Sequence, residues 1–172
     1  MIWLLKTHLG WCGIAFDSDI IREIILPAPN KQQILQSLRR RGYKLTSKKS
    51  RPNHYISRVL SDLKRYFNGE KVDFNPPARY INHLTRASEF ERSIYKTLMA
   101  IPYGQVQSYK WVAQKAGHPK AVRAVGNALA KNPLPIIIPC HRVIKSDGFL
   151  GGFSAISGTE LKKKLLKLEN AL

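Results

Sequence analysis

Cys140 and His141 stand side by side in the segment Ile136-Ile137-Ile138-Pro139-Cys140-His141-Arg142-Val143-Ile144, and together they can do covalent chemistry. A thiol attacks as its thiolate, and a nearby imidazole, guanidinium or helix N-terminus favours that form. A core strand gains nothing from a basic triplet in its middle, so Cys-His-Arg after an apolar run reads as chemistry. The plainer alternative is a free Cys buried as a small hydrophobe. Geometry adds a condition. Adjacent residues of an extended strand point to opposite faces, so Cys140 and His141 can cooperate only across a turn or through a water. An activated nucleophile also needs a third group to orient its base. Glu169 is the best-placed carboxylate of the C-terminal half; its plainer reading is an exposed helix charge.

Charge suggests the partner. The 172 residues carry 29 Lys plus Arg against 11 Asp plus Glu, a formal net charge of +18. Such a balance favours polyanions, above all nucleic acid, over a merely solvated basic surface. The excess is not a tail. Residues 1–85 hold 15 basic and 6 acidic side chains, and residues 86–172 hold 14 and 5.

These groups must be positioned by the surrounding elements. Residues 2–26 read as strands: Ile2 to Leu5, then Gly13 to Phe16 before the Asp17-Ser18-Asp19 turn, then Ile20 to Leu26, ended by Pro27 and Pro29. Asn30 can cap a helix to about Arg41, with Ile34, Leu35 and Leu38 on one face and Gly42 closing it. Lys44 to Asn53 reads as a loop, Tyr55 to Phe67 as a helix stopped by Asn68-Gly69, and Val72 to Pro77 as a short strand. Residues 78–87 form a candidate linker. Ser88-Glu89-Phe90-Glu91 is a capping box, followed by Ile94, Leu98 and Ile101 at helical spacing. Pro102-Tyr103-Gly104 breaks that helix. Ser108 can cap a helix over Tyr109 to Ala116, and a further helix runs from Lys120 to about Lys131 with Val122, Val125 and Leu129 inward. Asn132-Pro133-Leu134-Pro135 cannot continue it. A last helix runs from Gly158 or Thr159 to about Asn170, with Leu161, Leu165, Leu166 and Leu168 apolar. The outline is α+β, with an α/β N-terminal half and a mainly helical C-terminal half.

The two helices joined by Gly117-His118-Pro119 form a helix-turn-helix pattern. The second opens with Ala121-Val122-Arg123-Ala124-Val125-Gly126-Asn127-Ala128, small and apolar around a single Arg. Reading bases in the major groove needs several donors and acceptors. Small residues around one long cation instead suit close approach and insertion into the base stack. That favours base extrusion over operator reading.

Other classes fall away. The chain is 44% apolar and 9% aromatic, enough for a core. No stretch approaches the ~20 apolar residues of a membrane span. The apolar start is interrupted by Lys6, His8 and Asp17, and only Cys12 and Cys140 are present, too few for a disulfide framework. A reducing cytoplasm is the expected setting. Cys12 and His8 fall short of a four-ligand zinc site, so Cys12 reads as packing.

Pro139-Cys140-His141-Arg142-Val143, preceded by Asn132-Pro133-Leu134-Pro135-Ile136, resembles the active-site signature of the O6-alkylguanine-DNA alkyltransferases. The resemblance runs from about Phe90 to Glu169 and includes Ile101-Pro102-Tyr103-Gly104, Ser108-Tyr109, Arg123-Ala124-Val125-Gly126 and Leu165-Leu166-Lys167-Leu168-Glu169. It implies an RNase H-like N-terminal α/β domain over 1–85. Over 86–172 it implies a helical domain with a DNA-binding, winged-helix-like helix-turn-helix and the active site. The implied activity is irreversible transfer of an alkyl group from guanine O6 to Cys140, in a single turnover that restores guanine.

The same resemblance assigns roles. His141 deprotonates Cys140 through a water, Glu169 orients His141, and Asn132 braces the active-site turn. Arg123 replaces the flipped nucleotide in the stack. Tyr109 promotes flipping, bonds the base and is the candidate proton donor to the leaving guanine. Val143, Phe153 and Ser154 line the base pocket, while Lys110, His118 and Ser146 touch the DNA backbone. No cofactor or metal is implied. The partner is duplex DNA containing O6-alkylguanine, with no membrane, and a monomer is the default because no heptad or interface pattern is visible. The loop Gly151-Gly152-Phe153-Ser154-Ala155-Ile156-Ser157-Gly158 departs from the family's commoner Gly-Tyr-Ser type and is about two residues longer. Two other classes compete: a non-catalytic helix-turn-helix protein binding lesions or operators, and a Cys-His hydrolase working by acyl transfer.

Overall fold

In the computed structural model, residues 1–17, 20–44, 52–74, 84 and 87–172 are described. The chain divides into two compact units: residues 1–72 with 155–157, and residues 73–154 with 158–172. The expected loop at 44–53 and linker at 78–87 fall mostly outside the described residues, as do positions 18 and 19 of the expected turn.

The first unit is a three-stranded antiparallel sheet, β1 (Ile2–Thr7), β2 (Gly10–Asp17) and β3 (Ile20–Ala28), in that order, followed by α1 (Lys31–Arg40) and α2 (His54–Phe67). Ile34 and Leu38 of α1 are buried with Ala15, Ile25 and Ala28 of the sheet. Gly13 makes this approach possible: a Cβ there would lie 2.4 Å from the Ile34 side chain. Asn30 caps α1 by accepting from the Gln33 N–H, and Asn53 caps α2 by accepting from the Ile56 N–H. Pro27 does not end β3, which continues to Ala28. The reason is its place in the sheet: β3 is an edge strand, where a missing N–H is tolerated. Cys12 is fully buried in β2, and burial pushes its thiol up to about 12, so it is an inert packing group. Residues 72–74 are not strand, so the described part of the expected strand at 72–77 is absent.

The second unit holds the chemistry. Its helices are α3 (Glu89–Met99), α4 (Tyr109–Lys115), α5 (Val122–Ala130) and α6 (Gly158–Leu168). Ser88 and Glu91 form the reciprocal capping box of α3. Tyr95 of α3 donates to the Ala128 carbonyl at 3.1 Å and ties α3 to α5 inside the core. Gly117, at φ 83°, closes α4 in a left-handed turn, with the His118 N–H on the Ala113 carbonyl. α5 then starts at Val122, which is exposed rather than inward: as the first helical residue it precedes the buried face of Val125, Ala128 and Leu129.

A parallel two-stranded sheet pairs β4 (Gln107–Ser108), just before α4, with β5 (Val143–Ile144), just after the Cys-His-Arg triplet. That pairing fastens the triplet to the base of the helix pair. None of the described helices is long and apolar enough to cross a membrane. Replacing Ser88 by Ala removes the hydroxyl that accepts from the Glu91 N–H and should cost about 1 kcal/mol, read as a lower urea midpoint at unchanged slope.

Candidate active site

The apolar run before Cys140 does not continue as a strand. Ile136 and Ile137 form a turn, a short bridge pairs Pro135 with Ile138, and Cys140–Arg142 is one turn of 3-10 helix. Asn132 spans this turn: its side-chain amide donates to the Ile138 carbonyl at 2.8 Å, and its oxygen accepts from the Leu134 N–H at 3.0 Å. Ile136 is held at φ 76°, a left-handed conformation costly for a β-branched residue. The turn, not an extended strand, sets the directions of Cys140 and His141, which removes the geometric condition raised by the sequence.

Behind the turn lies a buried ionic cluster. His141 Nε2 is 2.8 Å from Glu169 Oε1, and both side chains are fully buried. Arg142 grips the same carboxylate at both oxygens, Nε to Oε2 at 2.8 Å and Nη2 to Oε1 at 3.0 Å, and also donates to the Ile101 carbonyl at 2.7 Å. The Gly104 N–H adds a bond to Oε2 at 3.2 Å. Burial alone would raise the Glu169 pKa, but hydrogen bonds from His141 and Arg142 overcome it and hold the carboxyl at about 2. Burial lowers the His141 pKa, against the pull of Glu169, so the imidazole rests neutral. With Nε2–H on Glu169, Nδ1 is its basic nitrogen. Burial pushes the Cys140 thiol up, opposed by the Asn132 side chain and the charge of Lys162. The resting sulfur is therefore a thiol that needs a base.

Cys140 lines a cavity of about 370 Å³ with Tyr109 of α4, Gly126, Leu129 and Ala130 of α5, and Gly152, Phe153 and Ser154 of the loop before α6. Tyr109 is raised in pKa by burial and by Cys140, so it keeps its proton. Gly151 at φ 70° packs against it: a Cβ there would lie 3.0 Å from the Tyr109 hydroxyl. Of the other expected residues, Val143 is buried beneath the turn, and its carbonyl accepts from Lys162 Nζ at 2.5 Å. Lys110, Arg123, His118 and Ser146 are exposed and do not line the cavity, and His118 packs edge-on against Phe90 at 4.9 Å.

Three functional contacts escaped the sequence reading: Arg142 on Glu169, Tyr103 donating to the Leu168 carbonyl at 3.0 Å, and buried Lys162. A signal existed for the last. Lys162, Leu166 and Glu169 recur at helical spacing, which puts one cation of the Lys162-Lys163-Lys164 run on the apolar face.

The second unit thus combines a helix-turn-helix with a neighbouring turn that holds a buried thiol and a buried His–Glu pair. Residues 89–171 match the family described as 6-O-methylguanine DNA methyltransferase, DNA binding domain. The constitutive methylated-DNA–protein-cysteine methyltransferase of Bacillus subtilis is 35% identical over 164 residues, covering 95% of this chain and 92% of that protein. The methylated-DNA–protein-cysteine methyltransferase of Methanosarcina barkeri is 45% identical over 115 residues, covering 67% and 68%. Among solved structures, the Mycobacterium tuberculosis O6-methylguanine methyltransferase superposes with a TM-score of 0.74 at 28% identity, over 99% of this chain and 92% of that one. A second crystal structure of the M. tuberculosis protein, in complex with DNA, gives 0.70 at 28% identity over 98% and 91%. The chain belongs to the methylated-DNA–protein-cysteine methyltransferase family.

Glu169→Ala should destabilise the protein by about 3–5 kcal/mol, because it leaves the buried Arg142 uncompensated. The Glu169 contribution is complete above the ordinary carboxylate pKa and is lost as pH falls toward about 2. Urea titrations across that acid range should therefore show a pH slope that the Glu169→Ala variant lacks.

Proposed function

We propose that this protein repairs DNA by extruding O6-alkylguanine from the duplex and moving the alkyl group onto Cys140, once per molecule. The observation that carries the reading is the cavity wall: Cys140 faces Tyr109 and the Gly152–Ser154 loop in front, with the His141–Glu169 pair behind. An alkyl group on guanine O6 is hidden in the stack, so the base must leave the duplex before sulfur can attack in line.

The steps balance. His141 Nδ1 takes the Cys140 proton through a water, and Glu169 stabilises the imidazolium that forms. The thiolate attacks the alkyl carbon, an S–C bond forms, and the C–O6 bond breaks. The departing guanine anion takes a proton from Tyr109, which recovers one from the imidazolium. The net result is guanine and an S-alkyl thioether with no route back to thiol. No metal or organic cofactor enters these steps.

Asn132 holds the turn in this reading. Phe153, Ser154 and the second lone pair of the Val143 carbonyl receive the base. Arg123, exposed near the start of α5 among small residues, fills the vacated stack. Lys110, His118 and Ser146 contact the backbone. In the finer fold reading, the β1–β3 meander with α1 is an RNase H-like half covering 1–85, and α3–α5 with the β4–β5 pair make a winged-helix-like half covering 86–172. A cytoplasmic monomer is the corresponding setting, consistent with two free cysteines.

Intact mass after incubation with a duplex carrying one O6-methylguanine should rise by one methylene, mapped to the Cys140 peptide. Cys140→Ser should abolish the gain while keeping DNA affinity. DNA held tightly with no mass change would make this a lesion-binding module, and demethylation without protein modification a turnover enzyme. Arg123→Ala should cost about 1–3 kcal/mol of binding to lesion duplex, and affinity should fall steeply with salt. Flat salt dependence in a titration from low to physiological ionic strength would contradict the phosphate contacts.

A further inference from the structure

The stretch 24–61 holds nine Lys or Arg and no Asp or Glu. Its first helix, α1, carries this charge on its outward side. Lys31, Arg39 and Arg40 are exposed, and the exposed positions between them are Gln32 and Gln36. Acids elsewhere in the first unit do not answer these cations. The four described there are each paired with arginine already: Asp17 with Arg22, Glu23 with Arg41, and Asp62 and Glu70 with Arg65. Among the described residues Lys31, Arg39 and Arg40 form no ion pair. Lys31 Nζ stands 4.2 Å from the centre of the Trp11 ring, a stack that orders the side chain and leaves its charge intact.

Helix chemistry explains only part of this pattern. Cations in the last turn complement the helix dipole, which accounts for Arg39 and Arg40. Lys31 sits at the opposite end, in a first turn without acids, where a cation is unfavourable. A surface that serves solubility alone intersperses both signs. The face is also held rigidly. Ile34 and Leu38 are buried against the sheet, Asn30 caps the start of α1, and Arg41, just past its end, is paired with Glu23 of β3. Cations positioned in advance lose less freedom when they meet a ligand.

We infer that the outward face of α1 is a second DNA-binding surface, which takes the phosphate backbone of a duplex on Lys31, Arg39 and Arg40. Phosphate oxygens accept from Arg, Lys and Gln side chains without any reading of bases. Arg39 and Arg40 supply planar forks suited to phosphate. Lys31 and Arg39 are eight positions apart, about 12 Å along a helix axis, against one phosphate per ~3.4 Å of axis on each DNA strand. A membrane is the poorer partner. A helix lying in a bilayer interface needs its apolar side free, and that of α1 is spent on the sheet. The surface belongs to the first unit, whereas the helix-turn-helix belongs to the second, so it adds affinity that is blind to the lesion.

Nothing in this surface depends on Cys140, so the test uses undamaged DNA. Binding of the full chain to a duplex of about 30 base pairs is titrated against salt, where each neutralised phosphate contributes about 0.9 to the slope of log K against log salt. The triple variant Lys31→Gln, Arg39→Gln, Arg40→Gln should flatten that slope by about 2 to 3 and bind at least about 10-fold more weakly at low salt. Lys6→Gln, Lys64→Gln, Lys71→Gln removes the same charge from exposed positions of the first unit outside α1 and should leave the slope unchanged.

A slope equal to wild type in the folded α1 variant overturns the inference. An equal loss in the control variant does the same, because net charge rather than a surface would then be at work. An α1 variant that binds duplex normally but no longer binds phosphatidylserine vesicles would reassign the face to a membrane and overturn it too. Should the triple variant not fold, wild-type protein decides. Duplex DNA should protect Arg39 and Arg40 from phenylglyoxal, read by peptide mass, and equal labelling with and without DNA overturns the role. Protein that shows the α1 effect but never alkylates Cys140 would sink the alkyl-transfer reading alone. Protein that alkylates Cys140 with a slope indifferent to α1 would sink only this surface.

Discussion

Glu169 receives hydrogen bonds from three directions: the imidazole of His141, the Nε–Nη2 edge of the Arg142 guanidinium, and the Gly104 main chain. A carboxylate taken out of water is tolerated only when its lone pairs are met this fully. The donors come from two parts of the second unit. His141 and Arg142 come from the 3-10 turn, and Gly104 from the break after α3. Tyr103, beside Gly104, bonds the Leu168 carbonyl next to the carboxylate itself. The end of α6 is thus the point to which the turn and the α3–β4 loop are tied, and the orientation of His141 follows from that attachment.

The acceptor thiol sits in front of this cluster under opposing demands. Burial raises its pKa and favours the neutral thiol. The same burial gives neighbouring charges their leverage, because fields act more strongly where water is excluded. His141 stays neutral and able to accept a proton because desolvation outweighs its carboxylate partner. Tyr109 stays protonated for a similar reason. One desolvated environment favours the neutral form of all three side chains. Strain is stored in the same place, at Ile136, where the turn is closed by Asn132 and by the Pro135–Ile138 bridge.

Local signals read well in advance. Asn30, Ser88 and Ser108 each cap the helix that follows them, since a cap is decided within four residues. Glycines after α1, α2 and α4 mark stops because each occupies a left-handed position. The reading failed where a neighbour overruled the local rule. Pro27 breaks a central strand but not an edge strand, and being at the edge is a property of the assembled sheet. Val122 has the right type for a core position, yet it precedes the part of α5 that packs.

By itself the sequence determined which residues can react and which helices stand near them. Cys140, His141 and Arg142 are contiguous, and the ordered motifs from Phe90 to Glu169 carried the family resemblance. Tertiary structure alone decided how charge is shared among them. Arg142 and Glu169 are 27 positions apart, and Tyr103 and Leu168 are 65 apart, so no window of sequence contains either contact. The Lys162-Lys163-Lys164 run looks like a solvated helix face, yet the rotation of α6 that buries Leu161, Leu165 and Leu166 also buries Lys162. Desolvation is a property of what surrounds a group, and it exists only once the chain has folded around it.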